Sequence, residues 1–361
     1  MKTVTSKKVF VGMSGGVDSS VAAYLLQKEG YDVVGVFIKV WHPDFLPCEW
    51  ETERRDAMRV AAHLGIPFLT CDAELAYKEY VADYFIAEYK KGRTPNPDVM
   101  CNKFVKFGAF YDFAISHGAD YIATGHYAQR LESDHGFNLV RGLDENKDQT
   151  YFLWTLTQEQ LSKTLLPVGG FNKTKIRALA KIANIPTATK KDSQGICFLG
   201  KVDIYEFLKE FIEITSGDVI DSNNRVIGRH KGALIYTLGQ GHGFDVTHHE
   251  WAGKKAFVTA IDLSTNTITV SSEPETKTSK YTQISQVHFI NPDASRNLES
   301  GKKIAIQTRY RQTPVTATVQ LLNKDTKQAM LISDHKDVLW TPGQSCVFYQ
   351  DTICLGGGII D

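Results

Sequence analysis

The sequence predicts an α/β protein: an N-terminal parallel sheet with helices on both faces, then a small central β-rich domain and a C-terminal β-barrel. Three observations lead there. Residues up to about 200 alternate short apolar runs with amphipathic stretches, as βαβ units do. From Gly217 onward the texture changes to Val-, Ile- and Thr-rich runs between Gly, Asn and Asp turns, the spacing of small barrels. The length, 361 residues, also exceeds one ordinary core. Boundaries fall near residue 205 and near residue 277, where Glu273-Pro274-Glu275-Thr276-Lys277-Thr278-Ser279 reads as a linker, giving domains 1–204, 205–276 and 277–361.

Each element has a local reason. Val9-Phe10-Val11-Gly12-Met13 reads as a buried strand, and the helix through Val21–Leu26 stops at Gly30. Tyr31 to Val40 returns as a strand. Helical periodicity runs from Glu51 to Leu64, Ile66–Cys71 is the next strand, and an amphipathic helix covers Leu75 to Lys91. Two prolines and a glycine in Gly92-Arg93-Thr94-Pro95-Asn96-Pro97-Asp98 forbid helix there. A helix restarts near Met100 and runs to Ser116, and Tyr121–His126 is a short strand ending in Gly-His. Phe152 to Asn184 is helical in two pieces, split by Pro167-Val168-Gly169-Gly170, and Thr187–Phe198 is polar and irregular. The later strands are Lys255–Ile261, Thr267–Ser271, Gln283–Ile290, Lys303–Arg309, Val315–Leu322, Gln328–Ile332 and Ser345–Tyr349.

Composition narrows the function classes. Basic and acidic residues balance at 41 each, which argues against a non-specific polyanion binder and leaves room for a local basic face. Such clusters occur at Lys90–Arg93, Lys173–Lys181, Lys190-Lys191, Lys302-Lys303 and Arg309-Tyr310-Arg311. No apolar run approaches the ~18–20 residues of a membrane span, and no secretory leader pattern is seen, so a cytoplasmic location is expected. None of the six cysteines forms a C-x-x-C pair, which leaves a zinc ribbon or a thioredoxin-like motif unsupported. Cys48, Cys71, Cys346 and Cys354 read as buried single thiols.

Three segments carry chemistry. Ser14-Gly15-Gly16-Val17-Asp18-Ser19-Ser20 follows the first strand and opens a helix. Adjacent glycines allow close backbone approach, helix-start N–H groups point at an anion, and three hydroxyls can donate. The run is neither G-x-x-x-x-G-K-[ST] nor G-x-G-x-x-G, and no lysine stands ready for a γ-phosphate. Asp98-Val99-Met100-Cys101 lies where the proline-rich loop becomes a helix. There Asp98 can cap or carry a proton, and the helix dipole favours a Cys101 thiolate; a capping Asp with a core Cys is the plain alternative. Ser193-Gln194-Gly195-Ile196-Cys197-Phe198 sets a thiol in a polar loop after Lys190 and Lys191. Loops at the carboxyl ends of parallel strands share one crevice, so two thiols beside a nucleotide suggest sulfur transfer by thiol–disulfide exchange.

Gly12-Met13-Ser14-Gly15-Gly16-Val17-Asp18-Ser19 resembles the signature of the PP-loop ATP pyrophosphatases, with their adenine nucleotide alpha hydrolase-like sheet. With Asn96-Pro97-Asp98-Val99-Met100-Cys101-Asn102, Ala123-Thr124-Gly125-His126-Tyr127, Lys147-Asp148-Gln149-Thr150-Tyr151 and Gly195-Ile196-Cys197-Phe198, the whole chain is similar to the tRNA-specific 2-thiouridylases. Arg309-Tyr310-Arg311-Gln312 and Thr341-Pro342-Gly343-Gln344 extend the likeness. After Tyr236–Gln240 the family usually has a basic pair; this chain has Gly241-His242-Gly243-Phe244.

The resemblance implies ATP- and Mg²⁺-dependent 2-thiolation of the wobble uridine in tRNA, with Asp18 a contact for the ion. It implies ATP contacts from Gly12 to Ser19 and at Ile38 and Gly125. It further implies a target-base site at Asn96, Pro97 and Asp98, and tRNA contacts at His126, Lys147, Asp148, Gln149, Arg309, Tyr310 and Gln344. Cys197 would carry a persulfide. Cys101 would free its sulfur, by a disulfide with Cys197 or by covering an intermediate, and Asp98 would be general acid/base. Arg309 and Arg311 alternate on an expected strand and would share a face. Implied partners are the anticodon stem-loop of tRNA and a persulfide donor or relay protein, with neither membrane nor DNA. Three other readings stay open: a PP-loop ligase for a small substrate, a non-catalytic nucleotide-dependent tRNA binder, and an iron–sulfur cluster on Asp98, Cys101 and Cys197.

Overall fold

The structure is a computed structural model that describes residues 6–46, 50–192, 195, 197, 200, 202–273, 279–292, 303–323, 327–334 and 338–361. Cys48, Ser193, Gln194, Ile196, Phe198 and residues 274–278 of the expected linker lie outside them.

The N-terminal sheet contains β1 (Lys8–Gly12), β2 (Asp32–Lys39), β3 (Phe68–Asp72), β4 (Tyr121–Ala123) and β7 (Thr164–Leu165), in the order β3-β2-β1-β4-β7. All its pairings are parallel. Period-two alternation divides the strand residues between two cores. Val9, Val11, Val33 and Phe37 pack against α1 (Val17–Lys28), α2 (Trp50–Leu64) and the helix Lys173–Ile182. Phe10, Val34, Val36 and Ile38 face the helices 74–90 and 97–116. Helices therefore cover both faces, as expected. Both of these last helices are wound as α, then π, then α, and the second π stretch is Cys101–Ala109.

The central sheet comprises β8 (Gly217–Ile220), β9 (Val226–His230), β10 (Phe244–Val246), β11 (Phe257–Asp262) and β12 (Thr267–Ser271). The C-terminal strands are β13 (Tyr281–Phe289), β14 (Lys303–Gln307), β15 (Val315–Asn323), β16 (Gln328–Ser333), β17 (Ser345–Gln350) and β18 (Ile353–Ile360). They run β13-β16-β15-β14-β17-β18, and a β13–β18 pairing closes a six-stranded antiparallel barrel.

Several details depart from the expectation. The hairpin of β5 (Ala128–Ser133) and β6 (Gly136–Arg141) was not anticipated, and it joins the barrel: Val140 and Leu139 pair with Ile353 and Cys354 at the start of β18. The helix expected near Met100 begins at Pro97, because Asn96 accepts the Val99 N–H and caps it; Asp98 is not the cap. The Phe152–Asn184 stretch yields short helices at Gln158–Ser162 and Lys173–Ile182 with β7 between them. Arg309 and Arg311 do not share a strand face, since β14 ends at Gln307 and Arg311 turns with φ +63°.

The segment after β6 anchors the barrel to the first domain. Tyr151 donates its hydroxyl to the Ser345 carbonyl at 2.9 Å, and Trp154 Nε1 donates to Ser345 Oγ at 3.0 Å. The Arg141 guanidinium lies 3.8 Å from the Tyr349 ring centroid. Trp154 is 2% exposed, so Trp154→Ala opens a cavity at this junction. It should cost about 3–5 kcal/mol, measured by chemical denaturation; a variant as stable as the parent would refute the anchoring role.

Candidate active site

Strand order reverses between β1 and β4, which opens a crevice at their carboxyl ends. The Gly12–Ser19 loop occupies it and leads into α1, whose N-terminus no side chain caps. Those free donors and the helix dipole make it an anion site. Gly15 adopts φ +69°, and a Cβ there would stand 2.7 Å from the Glu53 carbonyl. A Cβ at Gly125, just after β4, would stand 2.6 Å from the Ser19 nitrogen. Met13 is buried beneath the loop, and Ile38 is a buried residue of β2 near Gly12. The hydroxyls depart from expectation: Ser20 Oγ donates to the Gly16 carbonyl at 2.7 Å and is fully buried, so it faces no ligand. Ser14 is exposed.

Asp18 is not a free carboxylate. Lys173 Nζ reaches its two oxygens at 2.7 and 2.8 Å, and the Tyr127 hydroxyl donates to it at 2.7 Å. Lys173 also meets Asp192 at 2.8 Å, and Lys147 and Arg177 meet Asp192 at 2.7 and 2.6 Å. Burial alone would raise the Asp192 carboxyl, but hydrogen bonds from Lys147 and Lys173 outweigh it and hold it at about 2. Lys190 pairs with Asp56 of α2 at 2.8 Å, so it is not the cation of the nearby thiol.

That cation is Lys106, which the sequence reading missed. Cys101 is fully buried, and its thiol donates to Cys197 Sγ at 3.5 Å. Both backbone groups of Cys197 are fixed: its N–H donates to Asp98 at 2.9 Å, and its carbonyl accepts the Tyr77 hydroxyl at 2.9 Å. Lys106 hydrogen-bonds Cys197 and lies 3.3 Å from His126 Nε2. Burial pushes the Cys101 thiol well up, against the thiolate expected from the helix dipole. Cys197 is held below the ordinary thiol range by the Cys101 hydrogen bond and, against burial, by the Lys106 charge. Burial also raises Asp98. Burial pulls Lys106 down, yet the charges of Cys197, Cys101 and Asp98 together bring it above its usual value. Among the described residues, no group of three or more His, Cys, Asp or Glu could hold a metal ion.

Comparison with known proteins identifies the family. The model described as tRNA methyl transferase HUP domain matches residues 7–201. The tRNA methyl transferase PRC-barrel domain matches 205–272, and the aminomethyltransferase beta-barrel domain matches 279–360. A tRNA-specific 2-thiouridylase of Listeria monocytogenes is 44% identical over 98% of this chain and 94% of its own length. That of Enterococcus faecalis is 42% identical over 98% and 95%. The chain belongs to the tRNA-specific 2-thiouridylase family.

The residues that the family resemblance assigned to tRNA divide into two groups. Tyr310 and Gln344, with Asn96, Pro97, Asp98, Gly195 and Phe152, line an open cavity of about 650 Å³. The Tyr310 and Phe152 rings lie 4.5 Å apart there. The others are engaged inside the protein. His126 is 6% exposed, with Nδ1 2.8 Å from Thr124 Oγ1. Asp148 is buried against Arg141, Gly142 and Thr150, and Gln149 Oε1 accepts the Tyr127 N–H. Lys147 pairs with Asp192, and Arg309 donates to the Leu238 carbonyl and to Thr341. Their part in this structure is to hold loops. Gly241–Phe244 leads into β10 of the central sheet.

Thiol reactivity checks the electrostatics. Burial raises Cys71 to about 11 and Cys354 to about 12, and pushes Cys346 up as well. Of the five described cysteines, Cys197 should therefore be alkylated first at neutral pH, with a midpoint below the ~8.5 of a free thiol. Site-resolved mass spectrometry after iodoacetamide pulses reads this, and faster labelling of Cys101 would contradict the assignment.

Proposed function

We propose that the chain is a tRNA uridine 2-sulfurtransferase. It uses ATP to adenylate C2 of the wobble uridine, position 34, and replaces that oxygen with persulfide sulfur, giving 2-thiouridine, AMP and pyrophosphate. The observation that carries this reading is the Cys101–Cys197 pair, 3.5 Å apart, beside Asp98 in the cavity wall and on the same sheet edge as an anion-binding loop.

The roles follow from position. Gly12–Ser19 cradles the phosphates with backbone donors, and Ile38 and Gly125 border the adenosine. The uracil, already single-stranded in an anticodon, enters the cavity against Asn96, Pro97 and Asp98, with Phe152 and Tyr310 as stacking surfaces. Its C2 oxygen attacks the α-phosphorus, the bond to the bridging oxygen breaks, and pyrophosphate leaves. Asp98, whose carboxyl burial has raised, takes the N3 proton. The terminal sulfur of a Cys197 persulfide forms a bond to C2, and the C–O bond to AMP breaks. Cys101 then attacks Cys197 Sγ. A Cys101–Cys197 disulfide forms, the sulfur remains on C2, and the proton returns to N3. Closing from 3.5 Å to bonding distance needs roughly 1.5 Å of movement. Two electrons from an external dithiol reset the pair. Mg²⁺ enters as the counter-ion of the nucleotide substrate, with Asp18, whose Oδ2 accepts only from Lys173, as its proposed contact.

The domain division at 1–204, 205–276 and 277–361 belongs to this reading, and the three family-model spans support it. His126, Lys147, Asp148, Gln149, Arg309, Tyr310 and Gln344 are the proposed tRNA-facing set, direct or through the loops they hold. The proposed partners are the tRNA anticodon stem-loop and a persulfide donor, with a cytoplasmic location; among the described residues no helix is long and apolar enough to cross a membrane.

The test is incubation with ATP, Mg²⁺, a persulfide source and tRNA, followed by nucleoside mass spectrometry. The parent should form 2-thiouridine, and Cys197→Ser and Cys101→Ser should each lower it by two orders of magnitude or more. Absence of 2-thiouridine with the parent would sink the proposal. Full product from either serine variant would point instead to a ligase without sulfur chemistry, and tRNA retention without pyrophosphate release would point to a binder.

A further inference from the structure

Lys106 lies where an ammonium is costly unless it serves an anion. Its surroundings are the two sulfurs, Asp98 and the imidazole of His126. His126 is a buried neutral ring: burial, then the Lys106 charge, depresses it well below its ordinary value. An ammonium can only donate, so Nε2, 3.3 Å from Lys106, is the accepting nitrogen of the neutral ring, and its proton then belongs on Nδ1, 2.8 Å from Thr124 Oγ1. The ammonium is thereby aimed at the sulfur side rather than neutralised by the histidine. Local winding helps. Residues five apart are 140° apart on an α-helix, by about 100° per residue. In the π-wound stretch Cys101–Ala109, i→i+5 bonding brings Cys101 and Lys106 toward one face.

We propose that Lys106 is a further catalytic residue, whose ammonium holds the anionic sulfur on Cys197, thiolate or persulfide, and that His126 is its positioning residue. The assignment of this sulfur to tRNA thiolation rests on the function proposed above; the electrostatic pairing does not. A thiolate beside a half-buried cation is present at neutral pH in greater proportion than a free thiol, and a charge-assisted N–H···S⁻ bond also fixes its direction. The groups facing Cys197 are Cys101, Asp98, Lys106 and, through the backbone carbonyl, Tyr77. Asp98 opposes the thiolate, so Lys106 is the one group of this set whose charge favours it. The step balances without a proton from Lys106: the Cys197 thiolate attacks the outer sulfur of the donor persulfide, the donor S–S bond breaks, the donor leaves as its thiol with the proton that the outer sulfur carried, and the anionic Cys197 persulfide stays beside the ammonium.

The experiment uses the full-length protein without tRNA or nucleotide. The pH profile of Cys197 alkylation is read by site-resolved mass spectrometry for the parent, Lys106→Met and Lys106→Arg, with thermal melts as the folding control. In Lys106→Met the midpoint should rise by at least one pH unit, about tenfold slower labelling at neutral pH. Lys106→Arg should keep most of the parent profile. A folded Lys106→Met with a parental profile would overturn the proposal, leaving the lysine as a partner of Asp98 alone. If Lys106→Met does not fold, Lys106→Gln answers the same question, and His126→Gln should shift the profile in the same direction by a smaller amount. A second readout follows 2-thiouridine formation: the Lys106→Met deficit should shrink as pH is raised through the new midpoint, which a purely structural defect would not do. Failure of the parent to make 2-thiouridine would remove the function and leave the alkylation result standing.

Discussion

Gly125 approaches the first turn of α1 so closely that the backbone of the two segments is nearly in contact, a Cβ there lying 2.6 Å from the Ser19 nitrogen. That approach joins two halves of the chemistry. On one side is the anion loop; one residue further along, His126 turns inward and meets Lys106. A span of only three residues, Thr124 to His126, therefore fixes the nucleotide loop relative to the thiol pair. The reversal of strand order between β1 and β4 supplies the crevice, but a side chain at residue 125 would pry its walls apart.

Charge is distributed with the same economy. The chain is neutral overall, with 41 basic and 41 acidic residues, and its cations beside the candidate site are one network and one separate lysine. Lys147, Lys173 and Arg177 converge on Asp192 and Asp18, a network beside the anion loop. With its carboxyl held at about 2, Asp192 has a folded-state value below the unfolded one. Its stabilising contribution is thus complete above the ordinary carboxylate range and is lost only as pH falls toward 2. At neutral pH the network ties Asp192 to the nucleotide side of the crevice. Lys106 stands apart, paired with sulfur and Asp98 rather than with this network.

Much of this was legible in the sequence, for identifiable reasons. Val9–Met13 followed by Ser14–Ser20 declared strand, turn and helix because apolar run, paired glycines and hydroxyls follow one another without interruption. Asp98, Cys101 and Cys197 stood out as residue types. What stayed hidden depends on tertiary geometry. Lys106 reads as an ordinary surface lysine on an α-helical wheel; only π winding turns it toward Cys101. The Cys101 dipole argument was local, and burial, which pushes this thiol up, decides against it. β18 was missed because Gly356-Gly357-Gly358 has poor strand propensity. Those glycines answer to neighbours, since a Cβ at Gly356 would lie 2.0 Å from the His288 carbonyl and one at Gly357 would lie 3.1 Å from Trp154.

The two β domains act on the site through the Gly92–Asp98 loop. Thr94 N–H donates to the Pro342 carbonyl at 2.8 Å, and Gln344 Nε2 donates to the Thr94 carbonyl at 2.8 Å and the Pro95 carbonyl at 3.2 Å. Thr94 Oγ1 lies 3.0 Å from Thr237 Oγ1 of the central domain, and Arg93 donates to the Ile360 carbonyl in the last barrel strand. Two prolines leave this loop few hydrogen bonds of its own, so partners from other domains supply them. Asn96 then caps the helix and Asp98 fixes the Cys197 N–H. Reactions between positioned groups are sensitive to displacements of about 1 Å. Barrel residues far from the sulfurs in sequence consequently set the relation of Asp98 to Cys197, and a loosened Gln344–Thr94 contact acts on chemistry through position rather than through contact.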